Sequence, residues 1–372
     1  MFQLFGGDDQ VAKRGVWMRD WRKLREQIAY VLDYAEPEGK FLERFRRLAV
    51  LAAKGPAARR MLFEVRCDRG ADIARTLGFS QPTAMAIRCM DEHWDGGGYP
   101  DGLRRDRIPV LARIVGLAQV AEIFASEKNP SSAAHVARQR RGSWFDPEVV
   151  DAFLGVCGEE ELWEACASLS LDATVARAEP EGREVAADEQ RLNDIAAAFA
   201  WVIDAKSPFT FHHSERVADF AVAIGRQLGL DEPIIVRLRR AGLLHDIGKL
   251  SVPNRILDKP GKLTPREWEV IKLHPYYTYQ ILERVPVFGE LAFDASAHHE
   301  RLDGGGYFRN LPSGQLSPSA RILCVADHLD ALSADRPYRG KLPPEKVVEI
   351  MRAERGTGLW PDAVDAAERL MN

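Results

Sequence analysis

The chain carries one unit twice. EHWDGGGYPDGL at 92–103 returns as ERLDGGGYFRNL at 300–311, and ARIVGLAQVAEIF at 112–124 returns as ARILCVADHLDAL at 320–332. Asp95 and Asp303, Ala112 and Ala320, and Gln119 and Asp327 are each 208 positions apart. A constant offset across both segments restricts the fold to two copies of one supersecondary unit, and 372 residues are enough for each copy to bury its own core. Between the copies, ARAEPEGREVAADEQ at 176–190 is polar and acidic, and Pro180 and Gly182 interrupt any regular pattern, as expected of a linker. The predicted division is a first unit over residues 1–170, a linker over 171–187 and a second unit over 188–372.

The second unit reads as helix almost throughout. Leu192, Ile195, Phe199 and Ile203 fall at helical spacing, and KSPFT ends or bends that helix at Pro208. Val217, Phe220, Ile224 and Leu228 make the next apolar face, with Gly229 and Asp231 as a stop and a new start. Thr264-Pro265-Arg266-Glu267 is a capping box with proline at the first helical position, and Leu263 and Trp268 stand where a hydrophobic staple would be. DGGGYFRNLPSG at 303–314 cannot continue a helix and is expected as an ordered loop at the mouth of a site, its glycines permitting close backbone approach to a ligand. The expected fold class is all-α, a tandem pair of helical bundles with one such loop in each copy.

Seven of the nine histidines lie from His212 to His328. His213, His245-Asp246, His274, His298-His299 and Asp327 sit at spacings that no packing argument needs. Neutral imidazoles and carboxylates are the side chains that hold divalent zinc, manganese or iron, so this inventory points to metal-assisted hydrolysis. His212 and His328 read as hydrogen-bonded core residues or as supports behind the ligands.

Other classes are disfavoured. A net charge of −4 argues against an extended nucleic-acid surface. No apolar run is long enough to span a bilayer, and MFQLFGGDDQ lacks the basic start and apolar core of a signal peptide, so a cytoplasmic protein is expected. Cys67, Cys89, Cys157, Cys166 and Cys324 are odd in number with no CxxC pair, which suggests neither a disulfide framework nor a thiolate metal site.

HSERVA (213–218), LLHDIGKLSVP (243–253), KLHP (272–275), HHERLDGGGY (298–307) and VADHLDALSADRPYR (325–339) resemble, in order and spacing, the motifs of the HD-GYP family. The resemblance implies an all-helical, metal-dependent phosphodiesterase that opens cyclic di-GMP to linear pGpG or GMP. It further implies that His213, His245 and Asp327 hold one ion, that His274, His298 and His299 hold the other, and that Asp246 bridges them. Iron or manganese is the expected pair, with zinc, nickel, cobalt or magnesium as other options. Some relatives carry a Glu for a third metal one turn before the first His, and here that position is Phe209. Glu300 is expected to orient a His ligand or a metal-bound water. Lys249, Asp303, Gly305, Tyr307, Arg336 and Arg339 are expected at the substrate, with Lys249 and the two arginines on its phosphates. One departure stands out: Phe308 replaces the motif's proline, which the first copy keeps as Pro100. Its ring is a candidate to stack on a guanine. Hydrolysis of another cyclic dinucleotide such as 3′,3′-cGAMP, or of another nucleotide, is an alternative, as is a non-catalytic nucleotide sensor. A signalling protein or a second copy of the chain is a candidate partner.

The first copy lacks this chemistry. At the 208 offset, His274 becomes Arg66, His298 becomes Met90, His299 becomes Asp91 and Asp327 becomes Gln119. A guanidinium cannot ligate a cation, and Met and Gln are poor donors to a hard one. The counterpart of His213 falls on Phe5, so either the spacing changes upstream or this copy is incomplete at its start. It is expected to be a degenerate, non-catalytic domain.

Overall fold

The computed structural model describes residues 63–168, 171–178, 187–207, 212–259, 261–334 and 340–371, with a few positions before residue 30. Among the described residues the regular structure is helical, apart from two isolated bridges, Arg141 with Phe145 and Arg355 with Leu359. The chain divides into two compact units, Met1–Ala187 and Asp188–Asn372.

The first unit contains helical residues 63–76, followed by α1 (Gln81–Cys89), α2 (Val110–Glu127), α3 (Pro130–Arg140), α4 (Pro147–Val156), α5 (Glu160–Ala167) and α6 (Leu171–Ala178). Helix α6 occupies part of the stretch that its composition marked as linker. The acidic end of that stretch also has a structural use, because the Asp188 side chain accepts from the Arg191 N–H at 2.7 Å and caps the first helix of the second unit.

That unit contains α7 (Glu189–Asp204), α8 (His213–Gln227), α9 (Glu232–Leu244), α10 (Asn254–Leu257), α11 (Pro265–Lys272), α12 (His274–Glu283), α13 (Pro286–Ser296), α14 (Pro318–Ser333), α15 (Pro344–Glu354) and α16 (Pro361–Met371). Proline opens α11 and each helix from α13 to α16, where its missing N–H has no intrahelical partner to lose. Helix α14 runs through the core, with Ile322, Leu323, Val325, Ala326 and Leu329 all buried among α8, α9 and α16. Small residues set the α8–α9 spacing. A Cβ added at Gly242 would lie 2.8 Å from the Ala218 Cα, so the helices approach closely only because that side chain is absent. No described helix is long and apolar enough to cross a membrane.

The repeat is visible in the geometry. Gly97 N–H donates to Asp95, as Gly305 N–H donates to Asp303. The third glycine of each motif fits only without a side chain. A Cβ at Gly306 would sit 2.5 Å from the Glu300 Cα, and one at Gly98 would sit 2.5 Å from the Glu92 Cα. The two bridges, however, are 214 positions apart. The second unit therefore carries six additional residues between α14 and α15. Positions 335–339 of that connection, including Arg336 and Arg339, lie outside the described residues, as do Pro208 and Phe209.

Candidate metal centre

Five chain segments deliver the seven ligand candidates, and three of the imidazoles are aimed by one device. His245 follows α9, His274 follows α11, and His298 follows α13. Each ring turns its Nδ1 back to the carbonyl three residues earlier: Gly242, Ile271 and Ala295, all at 2.7 Å. These carbonyls belong to last helical turns, which have no intrahelical donor of their own. A carbonyl only accepts, so each Nδ1 carries the hydrogen and each Nε2 presents a lone pair. His213, at the start of α8, is aimed differently: its Nδ1 meets the Asp330 carboxylate at 2.6 Å. Arg216 holds Asp330 from the other side, and Asp204 caps this turn through the Ser214 N–H and hydroxyl.

The nitrogens converge on Asp246. Its Oδ2 lies 3.4 Å from His213 Nε2 and 3.4 Å from His245 Nε2. Its Oδ1 lies 3.2 Å from His274 Nε2 and 3.7 Å from His298 Nε2. Asp327 reaches His213 with one oxygen at 3.4 Å and His299 with the other at 3.7 Å. Two triplets result, His213/His245/Asp327 and His274/His298/His299, each with ligand atoms within 4.8 Å of one another. They are the two sets that the resemblance divides between two ions, and Asp246 turns one oxygen to each. Behind it, Thr278 donates to the His245 carbonyl at 2.8 Å and accepts from Gly248 N–H at 3.1 Å. A Cβ at Gly248 would meet the His274 carbonyl oxygen at 1.9 Å, so only glycine lets the His-Asp turn close on α12.

The donor set fits divalent cations. His274 and His298 oppose their Nε2 atoms at 3.1 Å, lone pair towards lone pair. His245 Nε2 and Asp246 Oδ1 are buried without a hydrogen-bond partner, which costs stability unless a positive centre meets them. Burial, reinforced by neighbouring histidines, pushes His298 down to about 3 and holds His299 well below the ordinary histidine range. Burial lowers His274 as well. Burial would raise Asp246, but the Lys249 ammonium and His245 outweigh it and keep the carboxyl well below its usual range. Burial also opposes protonation of His213, yet Asp246 and Asp330 carry it up to about 9. Neutral His274, His298 and His299 and an ionised Asp246 are in the protonation states that metal binding requires, whereas His213, held protonated by its two carboxylates, would have to exchange its proton for the cation.

The remaining predicted residues are placed as follows. Lys249 pairs with Asp246. Tyr307 packs its ring 4.7 Å from His299, at the edge of the site. The Glu300 carboxylate accepts from Arg309 N–H at 2.8 Å and Leu311 N–H at 2.9 Å. It braces the loop and has no hydrogen bond to a His ligand. Glu92 does the same in the first unit, accepting from Asp101, Gly102 and Leu103 where the ligand set is lost. Asp303 is likewise committed, to Gly305 N–H and to Arg301, which reaches on to Glu354. The N–H of Gly305 is thereby occupied, and the close approach its neighbour Gly306 permits is to the chain itself. Phe308 lies against Tyr276 and over the Arg309 guanidinium, 4.5 Å from its ring centre, so its stacking partners are internal. His212 is half exposed and pairs with Glu215, contrary to the buried role expected of it. Cys324, buried with its thiol pushed up to about 12 by that burial, is a core residue.

In the first unit, Arg66 and Asp91, the counterparts of His274 and His299, form an ion pair at 2.6 Å. Two former ligand positions neutralise each other.

Residues 56–149 and 198–363 match the HD domain family, one segment in each unit. The chain belongs to the HD domain family. This HD domain protein is 38% identical over 370 residues to the 3'3'-cGAMP-specific phosphodiesterase 3 of Vibrio cholerae, across 100% of this chain and 80% of that protein. It is 38% identical over 163 residues to a cyclic di-GMP phosphodiesterase of Thermotoga maritima, across 43% of this chain and 44% of that one. The crystal structure of a cyclic GMP-AMP specific phosphodiesterase from V. cholerae superposes with a TM-score of 0.63 at 35% identity, over 97% of this chain and 84% of that chain.

Proposed function

We propose that this HD domain protein is a metal-dependent cyclic dinucleotide phosphodiesterase, that its second unit carries the active site, and that 3′,3′-cGAMP is its preferred substrate. The observation that carries the reaction class is Asp246, buried, with one oxygen turned to each histidine cluster. His213, His245 and Asp327 would hold one divalent ion, His274, His298 and His299 the other, and Asp246 both. Two such ions acidify water near neutral pH and screen the charge of a phosphodiester. The protein's own contribution is orientation: helix-end carbonyls fix three imidazoles and Asp330 fixes the fourth. Lys249, beside Asp246, supplies a positive charge where a phosphate would enter. Glu300 and Asp303 hold the loop that presents Tyr307.

The choice of 3′,3′-cGAMP over cyclic di-GMP is supported by the extent of the similarity. Two relatives named for cGAMP match over 100% and 78% of this chain, whereas the Thermotoga cyclic di-GMP enzyme, like a third relative named for cGAMP, matches about one unit's length. The test is turnover of 3′,3′-cGAMP, cyclic di-GMP and cyclic di-AMP by protein purified without oxygen, with metal content measured on the same sample. Faster cleavage of 3′,3′-cGAMP is expected, and Asp246→Ala is expected to lose both ions and all turnover. Full metal content with no cleavage of any of the three would favour a nucleotide sensor.

A further inference from the structure

We propose that Trp268 is a stacking platform for a purine base of the substrate, fixing how tightly the site holds a nucleotide as distinct from a bare phosphate. This rests on the reading above that the centre takes a cyclic dinucleotide. Trp268 lies on α11 between Glu267 and Glu269 and is 45% exposed. A single exposed apolar side chain needs no explanation by itself; its position does. The indole stands edge-on to the Tyr307 ring, with centroids 6.3 Å apart at 75°, and Tyr307 packs 4.7 Å from His299 and 6.5 Å from His274. A line of rings therefore runs from the ligands of one cluster outward to an exposed indole. A phosphodiester at His274 and His299 places its nucleoside beside that line.

The backbone beneath the indole is fixed, because Thr264 and Glu267 form the complete capping box that starts α11 and Trp268 is the next residue, and the Tyr307 ring lies against one edge of the indole, so less ordering remains to oppose stacking. The indole leaves one part exposed and meets Tyr307 with another. Every base has a π face, so stacking is tolerant of base identity and is worth roughly tenfold in affinity per base. Trp268 accordingly contributes equally to adenine and guanine, and selection between dinucleotides lies elsewhere.

The test uses the full chain with its metals and measures direct binding of AMP, GMP and inorganic phosphate to wild type, Trp268→Ala and Trp268→Phe. In Trp268→Ala both nucleotides are expected to weaken roughly tenfold while phosphate is unchanged, with Phe restoring most of the loss and metal content constant throughout. In turnover, KM for 3′,3′-cGAMP rises more than kcat falls. Unchanged AMP and GMP affinity in Trp268→Ala overturns the platform, whatever the enzyme hydrolyses. Equal weakening of phosphate also overturns it, since the effect would then be on the metal centre. Weakened nucleotide binding in a protein that cleaves no cyclic dinucleotide leaves the platform standing and removes the phosphodiesterase reading.

Discussion

At the scale of single residues, the carboxylate that aims His213 matters as much as those that face the cations. Asp330 lies one turn beyond Asp327 on α14 and holds the His213 Nδ1 at 2.6 Å, which leaves Nε2 to the centre. Such partners typically change metal affinity by roughly 10- to 100-fold. Asp330→Asn is therefore expected to weaken the His213/His245/Asp327 position by about that factor, read as metal retained after dialysis against a chelator, with the His274 cluster less affected. Equal loss from both positions would show that Asp330 supports the whole bundle. The donor set was legible in the sequence because its residue types have few other uses at those spacings. Asp330 was not, since 117 positions separate it from His213 and only the crossing of α8 and α14 joins them. The loop-bracing contacts of Glu300 and Asp303 were not legible either, because they run to backbone N–H groups, which a sequence displays at every position, and, for Asp303, to Arg301 as well.

At the scale of elements, the centre depends on where helices end. His245, His274 and His298 each take a carbonyl from a last turn, so a helix one residue longer would remove the acceptor. The start of α11 shows the same dependence, and this start was readable as a capping box because both of its partners are local. Glu267 accepts from Thr264 and pairs with Lys259 at 2.6 Å, and Lys259 first, then Thr264, pulls its carboxyl from 4.5 to about 2. A folded-state value below the unfolded one means that the stabilisation is full above about pH 4.5 and is lost as pH falls towards 2. Glu267→Gln should thus unfold at lower denaturant than wild type near neutral pH, and the two midpoints should converge across that acid window. A gap that stays constant down to pH 2 would assign the effect to packing of α11 and not to the ionised cap.

At the scale of the whole molecule, the two units record which parts of one design survive without the metal. The first unit keeps the loop braces, Glu92 on three backbone N–H groups and Asp95 on Gly97, and keeps the Gly98 close approach. At two of the donor positions it has Arg66 and Asp91, which form an ion pair with each other. A guanidinium fixed on a buried carboxylate supplies internally the positive charge that a cation would bring, so this unit can be stable with no ion. The repeat and the different residue types at the donor positions were legible from the 208-residue offset, and the helical class from the apolar spacing and the capping box. The shift to 214 was not, because the six extra residues fall in a connection with no matching motif. The second unit has its own core, built from α7 to α9 and α12 to α16 without a residue of the first. We expect a fragment of residues 188–372 to retain the metal content and 3′,3′-cGAMP turnover of the full chain within about threefold, a change of under roughly 1 kcal/mol in either free energy. Its solubility and solution mass should change, because a unit without its own ligands persists by covering a neighbour's surface or carrying a contact for a partner. The comparison needs metal analysis, turnover and solution mass on both proteins. A fragment that is folded by circular dichroism yet holds no metal would show that the first unit helps to build the centre.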